Sequence, residues 1–279
     1  MEHQEGFFKG VRDYDIFHQC WLPEGDPRAA LLIVHGLGEH SSRYTNVVEY
    51  FVPLGYAVYA LDHLGHGKSA GTRVYVDRFT DYTDTLHTYL RMVRDQLPQV
   101  PLFMFAHSMG GLIGAAYLLD HQDELDGAIL SAPVVKISDT VSPVALTMSK
   151  VFSALLPKMG MLAVDAGGVS SDPRVVQAYR DDPLVHHGKV SARLGAEMLR
   201  AMQRVTAEAE TIALPLLLIQ GGADKLVDPQ SAQMLYDLAS SADKTLHVYE
   251  GFCHEMHNEP ECATVLADIE DWLVAHVQA

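Results

Sequence analysis

The sequence predicts an α/β fold: a mostly parallel central sheet flanked by helices, with an inserted helical cap. Three observations carry this reading. Short, continuous apolar runs recur along the chain: residues 30–34, 56–61, 102–105, 128–130 and 216–219. Helical patterns separate them. One long stretch, residues 135–209, breaks the alternation and offers no convincing strand. A strand covered on both faces reads as an unbroken apolar run, so runs alternating with helices point to a buried parallel sheet. The chain therefore divides into a first part of the core (1–134), a cap (135–209) and a second part of the core (210–279).

Residues 5–22, of mixed polarity, read as a pair of strands at an antiparallel edge. In the cap, Ser142-Pro143 looks like an N-cap followed by proline at the first helical position. Val144, Met148, Val151, Phe152 and Leu155 share a helical face after it. Gly160, Gly167-Gly168 and the prolines at 157, 173 and 183 punctuate the rest of the cap, and a further helix runs roughly from Ser191 to Ala207. In the last helix, which starts near Pro260, Val265, Ile269, Trp272 and Leu273 form one apolar face for the sheet.

Composition removes several classes of function. The 279 residues are 48% hydrophobic, enough for one large domain with an insertion. The formal net charge of −16 leaves no basic stripe for phosphates, which excludes nucleic acid and disfavours electrostatic docking on anionic lipid. Three cysteines (Cys20, Cys253, Cys262) are too few for a disulfide framework. The N-terminus lacks the basic-then-apolar pattern of a signal peptide, and no run of about 20 apolar residues would span a bilayer. The expected compartment is the cytoplasm.

The chemistry starts at Ala106-His107-Ser108-Met109-Gly110. An apolar run leads into Ser108, and Gly110-Gly111-Leu112-Ile113-Gly114 continues as a helix. That is a strand, a tight turn carrying a hydroxyl, and a helix N-terminus beneath it. A serine needs a base, an acid to orient the base, and donors for an oxyanion. The base belongs after the last strand, residues 245–249, where His254 stands in the following loop; His247 lies within the strand and reads as packed or surface. The acid belongs after the run 216–219, where Asp224 follows Gly221-Gly222. Asp228 competes, but it precedes Pro229 and an apolar-periodic helix and reads as an N-cap. The chain order Ser108, Asp224, His254 fits this type of sheet. Oxyanion donors would be the Met109 amide, which opens the helix, and the Leu37 amide in His35-Gly36-Leu37-Gly38-Glu39-His40. The histidines and aspartate of Asp62-His63-Leu64-Gly65-His66 lack a clear tetrahedral set and read as structural rather than as a metal site.

The chain resembles the monoacylglycerol lipases of the α/β-hydrolase superfamily over nearly its whole length. The matching segments are residues 35–44, residues 62–69, the Ser108 elbow, Ser131-Ala132-Pro133, Asp224, and Tyr249-Glu250-Gly251 leading to His254. One departure is Ala106, where the family usually has glycine; the position must be small. The resemblance implies a cofactor-free serine ester hydrolase acting on a monoacylglycerol or similar lipid ester. It also implies that Glu39, Arg43, Tyr179 and His257 line the glycerol end of the pocket. The apolar cap helix around residues 144–155 has two readings: it only covers the core, or its exposed apolar residues make transient contact with a lipid surface. A lysophospholipase or short-chain carboxylesterase would share the triad and differ in the leaving-group pocket. A binding protein on a retired hydrolase scaffold would usually lack one catalytic residue, and here the set is complete.

Overall fold

The computed structural model describes residues 1–136, 153–163 and 165–277. Among these, the main sheet runs β1 (Glu2–Lys9), β2 (Asp15–Leu22), β4 (Tyr56–Leu61), β3 (Ala29–Val34), β5 (Leu102–His107), β6 (Gly127–Ser131), β9 (Leu216–Gly221), β10 (Lys244–Tyr249) in spatial order. β1 pairs antiparallel with β2, Phe7 opposite Phe17, and β2 pairs antiparallel with β4. All other neighbours in the main sheet are parallel. The edge read from residues 5–22 is thus a full hairpin that begins at Glu2.

The helices are α1 (Thr45–Phe51), α2 (Thr80–Gln96), α3 (Met109–His121), α4 (Pro173–Asp181), α5 (Ala192–Glu208), α6 (Ser231–Leu238) and α7 (Cys262–Val277). Strand alternation sorts the core into two layers. Ala30, Leu32 and Val34 of β3 face the layer built with α2, α3, α5 and α6. Leu31 and Ile33 face the layer built with α1 and α7, where Val265, Ile269, Trp272 and Leu273 pack as their spacing predicts. Because both faces are covered, β3, β4, β5, β6 and β9 are buried at every position.

The cap lies between β6 and β9. It is less purely helical than the sequence suggests: β7 (Gly160–Ala163) and β8 (Lys189–Ser191) form a two-stranded antiparallel ribbon. Strands of four and three residues are too short to leave a period in the sequence. α5 starts as expected, its Ser191 side chain accepting the Leu194 amide, and Asp172 caps α4 in the same way with Pro173 first in the helix. The helix expected from Ser142-Pro143, with Val144, Met148, Val151 and Phe152, lies outside the described residues. At Asp228 the side chain accepts the Gln230 amide across Pro229, as a cap does, and pairs with Lys136. The regular helix α6 begins only at Ser231, with Gln230 as its flanking residue, so Asp228 closes the turn that leads into it.

α3 crosses β3 so closely that a Cβ on Gly110 would overlap the Val34 carbonyl oxygen. The departure at Ala106 is accommodated from the same helix: a Cβ on Gly114 would lie 2.9 Å from the Ala106 methyl, so glycine at 114 leaves the room that alanine takes at 106.

Behind the end of β3, three histidines are buried together. His35 donates from Nδ1 to the Gly36 carbonyl (2.8 Å) and accepts the His63 amide at Nε2 (2.9 Å), which fixes a neutral ring. Burial pushes the His35 and His66 pKa values down to about 3 and that of His63 well below its usual range. The neighbouring Asp62 is spent on hydrogen bonds, one oxygen accepting the Ser41 amide and hydroxyl, the other the Lys68 amide. This loop is therefore a scaffold.

In the unfolded chain these rings titrate near the ordinary histidine value of about 6.5. Below that pH the unfolded state binds protons that the folded state refuses, so stability rises with pH and is lost as pH falls from about 6.5 towards 3. Each ring contributes a slope of up to about 1.4 kcal/mol per pH unit. Thermal melts should show a steep fall in Tm between pH 7 and pH 5, and His66→Gln should flatten that dependence whatever its effect at pH 7. An unchanged slope in His66→Gln would remove this cluster from the explanation.

Candidate active site

Ser108 sits between β5 and α3 with φ +59° and ψ −121°, a left-handed backbone that costs about 1–3 kcal/mol for a residue with a side chain. The turn is held by its neighbours: the Ser108 amide donates to the Ser131 carbonyl (2.9 Å), and its carbonyl accepts the Leu112 and Val134 amides. The hydroxyl is thereby lifted off the end of the sheet.

The structure brings Ser108, Asp224 and His254 together. Ser108 Oγ lies 2.8 Å from His254 Nε2, and His254 Nδ1 lies 2.7 Å from Asp224 Oδ2. All three are buried. Asp224 is immobilised by the Leu226 and Val227 amides (2.8 and 3.0 Å) on one oxygen and Gln220 Nε2 (3.1 Å) on the other. A carboxylate accepts only, so His254 carries its proton on Nδ1 and presents a lone pair at Nε2 to the serine. Asp224 and Asp228 are thus separated by geometry: only the former reaches the imidazole. His247 lies on β10, stacked with Tyr249.

These groups open into a cavity of about 600 Å³. Leu37 and Met109 line it beside Ser108, as do Glu39 and Tyr179; Val134, Val190, Met198, Leu199, Met202 and Leu226 make the rest largely apolar. Met109 is the first residue of α3, so its amide has no acceptor within the helix.

Behind the Glu39 wall lies a buried charge cluster. Arg43 donates through Nη1 to Glu39 (2.8 Å) and Glu255 (2.6 Å), and through Nη2 to the other Glu255 oxygen (2.7 Å). Its guanidinium carbon also lies 4.6 Å from the Tyr179 ring centre. Burial opposes the charge on Arg43, but Glu255 and then Glu39 outweigh it and hold the pKa above the ordinary value. Glu255 has the bidentate share and titrates low despite its burial. Glu39, with one bond to the guanidinium, is pushed up by burial. Its remaining oxygen accepts the Gly36 amide (2.6 Å) and the Tyr44 hydroxyl (2.9 Å).

Two expectations for this region need correction. Neither Arg43 nor His257 lies on the cavity wall. Arg43 is consumed by two carboxylates. His257 is fully buried, stacked on Tyr44 at 4.8 Å and edge-on to His107 at 5.0 Å, and burial lowers its pKa to about 4. Both stand behind the surface they were expected to form. Sequence reasoning missed Glu255 and His107. Glu255 follows His254 directly but meets Arg43 across 212 positions, which no local pattern reports. His107 packs on the His254 ring at 4.7 Å and is neutral through burial. Its place just before the serine was the available signal.

No helix among the described residues is long and apolar enough to cross a membrane. The described cysteines are free. One group, His87, His121 and Glu124, brings three potential ligand atoms within 4.8 Å of one another, but Tyr117 already bridges His87 and Glu124 by hydrogen bonds.

Residues 25–261 match the family model described as Hydrolase_4, serine aminopeptidase S33. The chain belongs to this family of serine hydrolases, among the monoacylglycerol lipases of the α/β-hydrolase superfamily. It is 38% identical over 273 residues to the monoacylglycerol lipase of Mycolicibacterium smegmatis, covering 98% of each chain. To the human monoglyceride lipase it is 33% identical, covering 92% of this chain and 86% of the other. The crystal structure of Paleococcus ferrophilus monoacylglycerol lipase superposes with a TM-score of 0.82 at 31% identity, over 99% of this chain and 100% of that one.

The charge cluster carries a testable consequence. Removing the cation would strand two buried carboxylates, which costs about 3–5 kcal/mol. Arg43→Met should lower Tm by many degrees at pH 7, and Arg43→Lys, which cannot make the bidentate contact, should recover only part of the loss. A wild-type melting curve for Arg43→Met would show that the cluster holds nothing in place.

Proposed function

We propose that this chain hydrolyses monoacylglycerols through an acyl-enzyme on Ser108. The observation that carries the reading is the hydrogen-bonded chain Ser108–His254–Asp224 at the end of a largely apolar cavity. His254 Nε2 takes the hydroxyl proton as Ser108 Oγ attacks the ester carbonyl. Asp224 holds the ring and stabilises the imidazolium that forms. The Leu37 and Met109 amides receive the oxyanion, at the position where negative charge develops. His254 then returns its proton to the glycerol oxygen as the C–O bond breaks. Water, deprotonated by the same ring, attacks the acyl carbonyl; the acyl–Oγ bond then breaks, His254 returns the proton to Ser108 Oγ, and the fatty acid is released. These steps use no cofactor.

The apolar wall suits an acyl chain, and Glu39 with Tyr179 supplies a polar end beside Ser108 for the glycerol hydroxyls. The Mycolicibacterium smegmatis, Paleococcus ferrophilus and human relatives, named as monoacylglycerol or monoglyceride lipases, support that substrate class over a phosphodiester headgroup. On the cap, Leu155, Leu156 and Met161 are 73%, 53% and 39% exposed, and this apolar surface supports transient contact with the lipid aggregates in which such substrates reside. That contact would place the working enzyme at the periphery of a membrane facing the cytoplasm.

Turnover of a monoacylglycerol, a diacylglycerol and lysophosphatidylcholine of the same acyl chain should rank the monoacylglycerol first. Ser108→Ala should fold normally and lose at least about 10⁴-fold in kcat. Preferred turnover of lysophosphatidylcholine would replace this reading with a lysophospholipase, and full activity in Ser108→Ala would end it.

A further inference from the structure

The oxyanion loop, residues 36–40, is fixed on both sides of Leu37, and the two anchors come from different parts of the molecule. On the core side, the Gly36 amide donates to Glu39 Oε1 (2.6 Å), and Arg43 and Tyr44 hold that carboxylate. On the other side, the Gly38 carbonyl accepts the amide of His186, a cap residue, at 2.7 Å. Next to it, His40 Nε2 donates to Asp182 Oδ2 at 2.9 Å, again across to the cap. His40 is nearly enclosed, with 4% of its side chain exposed. Asp182 is itself set in place, since its other oxygen accepts the Leu184 amide (2.8 Å). Gly38 has φ +77°, and a Cβ there would meet the His186 carbonyl oxygen at 3.4 Å, so the two backbones are in direct register.

We propose that Asp182 is a positioning residue for the oxyanion hole: through His40, and together with the His186 amide, it holds the loop that carries the Leu37 amide. The segment 182–186 of the cap is then part of the catalytic apparatus rather than a cover over it. The reason is geometric. A loop whose glycines at 36 and 38 allow many conformations presents an amide usefully only if its neighbours are tied. One tie belongs to the core and would survive any movement of the cap, while the other would not. An oxyanion donor displaced by an ångström loses most of its effect on the transition state and little on ground-state binding. The consequence is a loss in kcat that does not depend on the leaving group.

This inference rests on the ester-hydrolase reading, and the experiment separates the two. Steady-state kinetics would be measured for the intact protein on a monoacylglycerol and on p-nitrophenyl butyrate, which has no glycerol to bind. Asp182→Ala, which removes both acceptors, should lower kcat about tenfold on both substrates with KM within about twofold. Asp182→Asn, which keeps one acceptor, should recover part of the loss. Should Asp182→Ala fail to fold, His40→Ala carries the test with the same expected result. Wild-type kcat on p-nitrophenyl butyrate in a folded Asp182→Ala or His40→Ala would overturn the proposal, as would a loss confined to KM or to the monoacylglycerol. Absence of ester turnover by the wild-type chain would instead overturn the underlying reading.

Discussion

The site depends on one constraint: a serine held in a left-handed turn where β5 ends and α3 begins. That conformation is unfavourable in isolation, so its surroundings must enforce it. α3 is drawn against β3 closely enough to forbid any side chain at Gly110, and the turn is tied to β6 through Ser131. The same crossing puts Ser108 in reach of a histidine that follows β10 and places the first amide of α3 beside the hydroxyl. Burial on both faces of β3, β5 and β9 keeps the sheet rigid, so strain at the turn has nowhere to relax.

Around that turn, charge is handled in two ways. Histidines at the strand ends (35, 63, 66, 107) are buried and kept neutral, with hydrogen bonds that need no charge. Glu39, Glu255 and Arg43 are buried as a network around one guanidinium, with Arg43 held charged and Glu255 low by their pairing while burial pushes Glu39 up. The first group fixes loop geometry; the second ties the loop after β3 to the loop after β10. The loop that carries Leu37 and the loop that carries His254 are thereby joined independently of the Ser108–His254–Asp224 hydrogen bonds.

Much of this was legible in the sequence. The apolar runs marked the strands because a doubly covered parallel strand leaves no alternation to misread. The triad followed from where strands end, since loops after parallel strands gather at one edge of the sheet. Helix polarity and glycine placement pointed to Met109 and Leu37, and both line the cavity beside Ser108. What stayed hidden was set by tertiary distance. Arg43 and His257 carried the residue types of a polar pocket, yet Arg43 faces Glu255 and His257 faces Tyr44, and both were drawn inward. Asp228 sat before a helix as a cap would, but the turn through Pro229 delayed the helix to Ser231. The ribbon of β7 and β8 was invisible because seven residues split over two strands have no period.

The sharpest test follows the nucleophile itself. The protein would be treated with a fluorophosphonate, digested, and the modified peptide sequenced, with the labelling rate compared between wild type and His254→Ala. A strained serine activated by the imidazole should give a single labelled site at Ser108 and a labelling rate at least about 10³-fold slower when that imidazole is removed. Label on another residue, or an unchanged rate in His254→Ala, would contradict it.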